Sequence, residues 1–279
     1  MRQKSYDDSP TLYVVPTPIG NLEDITYRAI RILRDVEAIF CEDTRDTKQL
    51  LNHFNINNKL ISNHKFNESI VKNKILEYLD NGKSIALVSD RGTPGISDPG
   101  YEAIKFIIES QYNVVCLPGA SALIPAVVMS GISPQPFLFY GFLNSKNSKQ
   151  KEELMNLQNL EYSLIFYEAP HRLKNTLENI YDVLGNRKIA LAREISKMYE
   201  EIIRDTIQNV IEIADTLKGE FVIIVEGKKI EKINYSDINI LDHINMYIES
   251  GLSDKEAIKK VAKDRNVPKN DIYKEFHRR

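Results

Sequence analysis

The 279-residue chain has no uninterrupted apolar stretch approaching the length of a membrane span, which takes roughly 20 residues. Its opening, MRQKSYDDSP, lacks the hydrophobic region of a secretory signal. There are only two cysteines, Cys41 and Cys116, each in an apolar, strand-like run. They read as buried, reduced core thiols, which is the expectation for a cytoplasmic protein. No Cys or His partner stands at ligand spacing, and His64 and His171 are isolated, so no metal is expected. Charge of one sign is also scarce: the net of -2 does not announce a nucleic-acid binder. A dinucleotide fingerprint is missing. Where the first strand meets the first helix, Pro16, Pro18 and Gly20 replace G-x-G-x-x-G, which disfavours a nicotinamide dehydrogenase. Gly82-Lys83-Ser84 is not a phosphate loop either, because residue 77 is Glu and a strand follows.

What is present is a well-mixed globular composition, 42% hydrophobic and 27% charged, able to bury one large core or two moderate ones. Apolar runs at 12–15, 37–41, 59–63, 84–89 and 113–117 alternate with helical spacings such as Ile70, Ile75, Leu76, Leu79. This predicts an α/β fold with a parallel sheet covered on both faces. Further strands are expected at 137–143, 163–167, 188–192, 200–206 and 220–226. Two of them follow each other without a helix, so a second, mixed sheet is expected. The stretch 144–153 reads as a mobile surface loop, and 228–236 as a linker. The reading divides the chain into an N-terminal α/β domain, 1–118, a second α/β domain, 119–230, and a helical unit, 236–279. In the last, Ser253 and Glu256 form a capping box and Asn266-Val267-Pro268 turns the chain. Residues 251–279 hold nine Lys or Arg against five Asp or Glu, a local +4 that leaves -6 for the rest. Such a basic tail suits phosphate contact or a solvated helical face.

Three strand-to-helix loops carry unusual chemistry. The first is Pro16–Gly20. The second, Ser89 to Gly100, combines rigid Gly and Pro with Asp90 and Asp98 at a strand's carboxyl end, where open α/β sheets bind ligands. Acid with Gly and Pro suits a positive or hydroxyl-rich ligand and suits a phosphate poorly. The third, Pro118 to Leu123, offers small residues, with Ser121 also able to serve as a helix cap. Glu42, Asp43 and Arg45 leave another strand end, beside His64 and Glu68. Glu168, His171 and Arg172 occupy a comparable junction in the second half.

Together, "TLYVVPTPIGNLEDIT", "CEDTRDT", "ALVSDRGTPGISDPG", "LPGASAL", "LIFYEAPHR", "LAREISK" and "GEFVIIVEG" resemble, in this order, the small-subunit rRNA cytidine 2′-O-methyltransferases of the tetrapyrrole methylase superfamily. The resemblance spans about residues 11 to 227. It implies two α/β domains with S-adenosylmethionine in the cleft between them, a homodimer, and 16S rRNA methylated at a decoding-centre cytidine, within an assembled 30S particle. By similarity, the cofactor contacts are Pro18, Asp90, Thr93, Pro94, Gly95, Ser121, Ala122, Tyr167, Ala192, Gly219 and Glu220. The sequence departs from the family where many members have Ala and this chain has Arg91. That side chain is expected to point outward or pair with Asp98.

Methyl transfer to a ribose hydroxyl is an in-line displacement that mostly needs alignment, helped by a base. Glu42, Asp43, His64, Glu68 and Glu168 are candidates for the base, with Arg45 beside them. Arg45, His171, Arg172, Lys259, Lys260, Lys263, Arg265 and Lys269 are candidate RNA contacts. The alternatives are a tetrapyrrole C-methyltransferase of the same fold, and a non-catalytic RNA-binding module.

Overall fold

The computed structural model describes residues 3–5, 7–64, 67–229 and 235–277. They form two compact units, Met1–Lys228 and Lys229–Arg279.

The first unit is built on two five-stranded sheets. The first sheet contains β1 (Thr11–Val14), β2 (Ile39–Cys41), β3 (Leu60–Ser62), β4 (Ile85–Val88) and β5 (Asn113–Cys116). Their order is β3-β2-β4-β1-β5, and every pairing is parallel. Continuous apolar runs are what a parallel sheet buried on both faces requires. Alternate side chains accordingly go to opposite layers. Ile39, Cys41, Ala86 and Val88 pack with α1 (Tyr27–Asp35) and α2 (Thr44–His53). Phe40, Ile85 and Leu87 pack with α3 (Glu68–Asp80) and α4 (Tyr101–Glu109). Helix α1 starts where the Thr26 hydroxyl accepts the Ala29 N–H at 3.0 Å, an N-cap that fixes how the first loop enters the helix.

The second sheet has the order β6-β7-β10-β8-β9: β6 (Phe137–Phe142), β7 (Ser163–Glu168), β10 (Phe221–Val225), β8 (Lys188–Arg193) and β9 (Glu201–Thr206). It is mixed, since β6 and β7 are parallel and the other pairings antiparallel. One face is covered by α6 (Asn147–Leu157), α7 (Leu173–Leu184) and α8 (Ile207–Ile213). Helix α5 (Leu123–Ser130) packs on the other face, through Ala126 and Val127. Ile19, from the loop after β1, joins that same cluster, so the open face of the second sheet looks onto the loops of the first. The expected division at 118/119 falls in the segment between β5 and α5.

Two expectations are corrected. The stretch 144–153 is not a free loop: Asn144 N–H donates to Glu153 at 2.8 Å, and the chain enters α6 at Asn147. Cys116 is exposed while Cys41 is buried, because β5 is an edge strand and residue 116 is its last, outward position. The linker read at 228–236 lies mostly outside the described residues.

The second unit packs α9 (Ile240–Glu249), α10 (Asp254–Asp264) and α11 (Lys269–Phe276) around Ile244, Ile258, Val261 and Ile272. The Ser253–Glu256 capping box opens α10. His243 is buried and stacked on Tyr235 with ring centroids 3.8 Å apart. Burial and then Arg265, whose Nε donates to His243 Nδ1 at 3.2 Å, push its pKa down, against a smaller opposing effect of Asp264.

Candidate functional site

The strand order makes neighbours of β4, β1 and β5, and with them the three loops at their carboxyl ends. The first and second loops are laced by two backbone bonds, Thr17 N–H to Gly92 O at 2.9 Å and Gly92 N–H to Thr17 O at 3.0 Å. The Thr17 hydroxyl adds a third by donating to the Ser89 carbonyl at 3.1 Å. The third loop lies directly on the first: a Cβ at Gly119 would stand 2.6 Å from Cβ of Pro16. Residues 16–20, 89–100 and 117–122 therefore form one slab rather than three independent turns.

Carboxylates gather along its edge. Asp90 accepts the Asp43 N–H at 2.9 Å, so the end of β2 is tied to the loop after β4. Asp43 caps α2, accepting the Arg45 N–H at 2.7 Å and its guanidinium at 2.6 Å. The hydrogen bond from Arg45 holds the Asp43 pKa down at about 2. Burial pushes the Glu42 carboxyl up, with the charges of Asp90 and Asp98 adding to it. Asp98 is also pushed up by burial and then by Asp90, opposed by a hydrogen bond from Ser89.

Across from the slab stands the open face of the second sheet, and between them lies a cavity of about 410 Å³. This is within the range of about 300–1,000 Å³ common for small-molecule sites. Tyr167 closes its back. Its ring centroid is 4.9 Å from that of Phe139 and 5.6 Å from that of Phe142. Burial, and then the charge of Asp98, push the pKa of its hydroxyl up. Phe139 and Phe142 are three apart, a spacing that would send them to opposite faces of a regular strand. A register shift between Phe139 and Gly141 turns both into the cavity.

The rim is charged. Glu220 accepts Lys197 Nζ at 2.7 Å and Arg91 Nη1 at 3.3 Å, and Lys197 Nζ also donates to Glu194 at 2.9 Å. Glu194 in turn accepts the Glu220 N–H at 2.8 Å. Gly219 permits this, because a Cβ there would collide with Cγ of Glu194. Of the two expected placements, Arg91 takes the outward one: it is exposed and pairs with Glu220 across the cavity, not with Asp98.

Of the cofactor contacts implied by resemblance, Thr93, Ser121, Ala122, Tyr167, Ala192 and Glu220 line the cavity. Pro18, Asp90, Pro94, Gly95 and Gly219 lie in the slab or the opposing turn without reaching its surface. Asp98, Ile19, Phe139, Phe142, Glu194 and Lys197 line it without having been singled out as contacts. The acid-rich loop pointed to Asp98; nothing local pointed to the phenylalanines.

Of the remaining candidates Glu168 lies in the cavity wall, and the others are dispersed. The Glu168 side chain is fully buried and already occupied, accepting the Ala169 N–H at 2.8 Å and the Thr176 hydroxyl at 2.6 Å, with Arg172 Nε at 3.3 Å. Arg172 also donates to the Leu143 carbonyl at 2.7 Å. Arg45 and His171 are exposed, and His64 is exposed past the end of β3. The Glu68 side chain lies outside the described residues. Lys259, Lys260, Lys263 and Lys269 are exposed, whereas Arg265 turns inward to His243.

A family model described as Tetrapyrrole (Corrin/Porphyrin) Methylases matches residues 11–211. A Bacillus subtilis protein named Ribosomal RNA small subunit methyltransferase I is 49% identical, covering 99% of this chain and 98% of its own. A Synechocystis protein of the same name is 41% identical over 94% of this chain and 95% of its own. Among solved structures, diphthine synthase aligns with a TM-score of 0.61 at 12% identity, over 79% of this chain and 91% of that one. Uroporphyrin-III C-methyltransferase from Thermus thermophilus, complexed with S-adenyl homocysteine, aligns with a TM-score of 0.56 at 17% identity, over 77% and 97%. At these identities the structural likeness concerns the fold.

Proposed function

We infer the activity from one premise: the chain belongs to the tetrapyrrole (corrin/porphyrin) methylase family. It is an S-adenosylmethionine-dependent methyltransferase of small-subunit ribosomal RNA. The finer reading we propose is 2′-O-methylation of the ribose of a cytidine in the decoding centre of 16S rRNA, with the assembled 30S particle as substrate and a homodimer in the cytoplasm as the working form. The observation that carries the site is the acid-edged, phosphate-averse cavity between the loop slab and the second sheet.

The residues present fit this cofactor. Ile19, Leu123, Phe139 and Tyr167 offer apolar surface for a flat base, and Asp98 places a half-buried carboxylate beside it. No glycine-rich cradle for a pyrophosphate is needed. When bound, the cofactor supplies an electrophilic methyl group on a good leaving sulfur. The chain's own part would be to align the ribose hydroxyl with that group, exclude water from the cavity and take up the hydroxyl proton on a carboxylate.

Among the candidate bases, Asp43 is committed to Arg45, and both oxygens of Glu168 are occupied within the wall. We assign the proton to the carboxylates Glu42 and Asp98, whose burial, together with the neighbouring charge of Asp90, raises the affinity of each for it. The exposed Lys259, Lys260, Lys263 and Lys269 supply phosphate contacts, and His171 and Arg45 stand free of burial for the same task. Arg172 and Arg265 are spent on internal partners and serve structure instead. Exposed Ile124 and Val128 on α5 support a second copy as partner.

The test is methyl transfer from labelled S-adenosylmethionine to unmodified 30S particles, bare 16S rRNA and a tetrapyrrole precursor in parallel, with nucleoside mass spectrometry of the RNA. A 2′-O-methylated cytidine made preferentially on particles is expected. Base methylation, or label only on the tetrapyrrole, would overturn the finer reading.

A further inference from the structure

Two cations line the cavity among the described residues, Arg91 and Lys197, and they are held very differently. Lys197 Nζ is wedged between Glu194 at 2.9 Å and Glu220 at 2.7 Å, with its side chain only 20% exposed. Arg91 reaches Glu220 alone, at 3.3 Å to each oxygen, and the two side chains are 57% and 63% exposed. A pair that long and that wet adds little stability. If Arg91 leaves, Glu220 keeps Lys197, so no buried charge is stranded.

S-adenosylmethionine carries an α-carboxylate, for which a cation is the strongest hydrogen-bonding partner. The other charges on the lining are the carboxylates Asp98, Glu168, Glu194 and Glu220, which would repel it. A guanidinium presents two parallel N–H donors that match a carboxylate, whereas Lys197 is saturated where it stands.

We propose that Arg91 is a specificity-determining cofactor contact: on loading, its guanidinium exchanges Glu220 for the α-carboxylate of S-adenosylmethionine. This rests on the cofactor reading above. It also accounts for a bulky cation beside a site for a sulfonium, since Arg91 answers the anionic end of the ligand and the carboxylates answer the cationic one.

Equilibrium calorimetry on the full chain tests it with three ligands: S-adenosylmethionine, S-adenosylhomocysteine and 5′-methylthioadenosine, which keeps the adenosine and sulfur but has no amino-acid end. Arg91→Ala should weaken the first two about tenfold, about 1.4 kcal/mol, and leave the third within about twofold. Arg91→Lys, which keeps the charge without the fork, should fall between. An equal change for all three ligands, or no change for any, would overturn the proposal while leaving the cofactor assignment standing. Failure of the unaltered protein to bind either adenosyl amino acid would overturn both.

Discussion

Replacing Gly119 by Ala tests whether the three loops really act as one slab. Gly119 is not in the left-handed backbone region, so the added methyl brings no conformational strain of its own. Its entire cost is contact: the new Cβ would lie 2.6 Å from Pro16 Cβ and 2.9 Å from Pro16 Cγ, nearly 1 Å inside normal separation. A proline ring has no rotamer to retreat into, and Thr17, the next residue, is bound to Gly92 on both sides of its peptide. The first loop must therefore shift as a body, or the third must. Overpacking of this kind costs about 1–3 kcal/mol. For a unit of this size that is a fall in Tm of roughly 3–9 °C. Because Ser121 lies two residues further on and lines the cavity, cofactor affinity should fall along with stability. Gly82→Ala is the control: nothing lies within 4 Å of its Cβ and its φ is +73°, so it should cost about 1 kcal/mol of backbone strain and leave affinity unchanged. Thermal melts with calorimetric titration of S-adenosylhomocysteine read both quantities. A Gly119→Ala protein with unaltered Tm and affinity would refute the slab.

Asp98→Asn should separate binding from stability. Removing a half-buried carboxylate crowded by Asp90 and Glu220 should leave Tm equal or higher while weakening S-adenosylmethionine binding about tenfold; a parallel loss of both would contradict this. Glu168→Gln should act in the opposite sense, destabilising the first unit by about 3 kcal/mol in denaturant melts, since it removes the counter-charge of Arg172 and disrupts the Thr176 bond; a change below about 1 kcal/mol would show the pair to be dispensable. His243 gives a pH signature in the second unit. Its pKa is lower folded than unfolded, so the unfolded state binds more protons between that lowered value and 6.5. Stability of α9–α11 should therefore be greatest above pH 6.5 and decline on acidification through that window, read by hydrogen exchange of their amides. An NMR titration of His243 at or above 6.5 would refute the assignment.

Much of this was legible in the sequence because it is local chemistry. Apolar runs such as IALV at 85–88 are strands buried on both faces, and they announce themselves without a partner in view. The Ser253–Glu256 box opens α10 because its two hydrogen bonds close within four residues. The acid, glycine and proline of residues 89–100 mark that loop out at a strand end without any neighbour in view.

The rest needed the fold, because it depends on pairings between residues far apart in the chain. Periodicity says that β1, β4 and β5 are strands, but only the order β3-β2-β4-β1-β5 sets their loops side by side. Phe139 and Phe142 reach one cavity through an irregularity in the pairing with β7, and alternation alone sends them apart. Cys116 is as apolar in its run as Cys41, yet edge position exposes it. Arg91, Arg172 and Arg265 look alike as cationic surface residues. Tertiary packing gives the first to Glu220 across the cavity, the second to Glu168 and a carbonyl, and the third to a buried histidine. Hydrophobic period and capping are fixed by bonds and sterics within a few residues, so sequence determined the elements and the chemistry on offer. A charged side chain's partner is decided by which distant element it meets, and that only the packed structure decided.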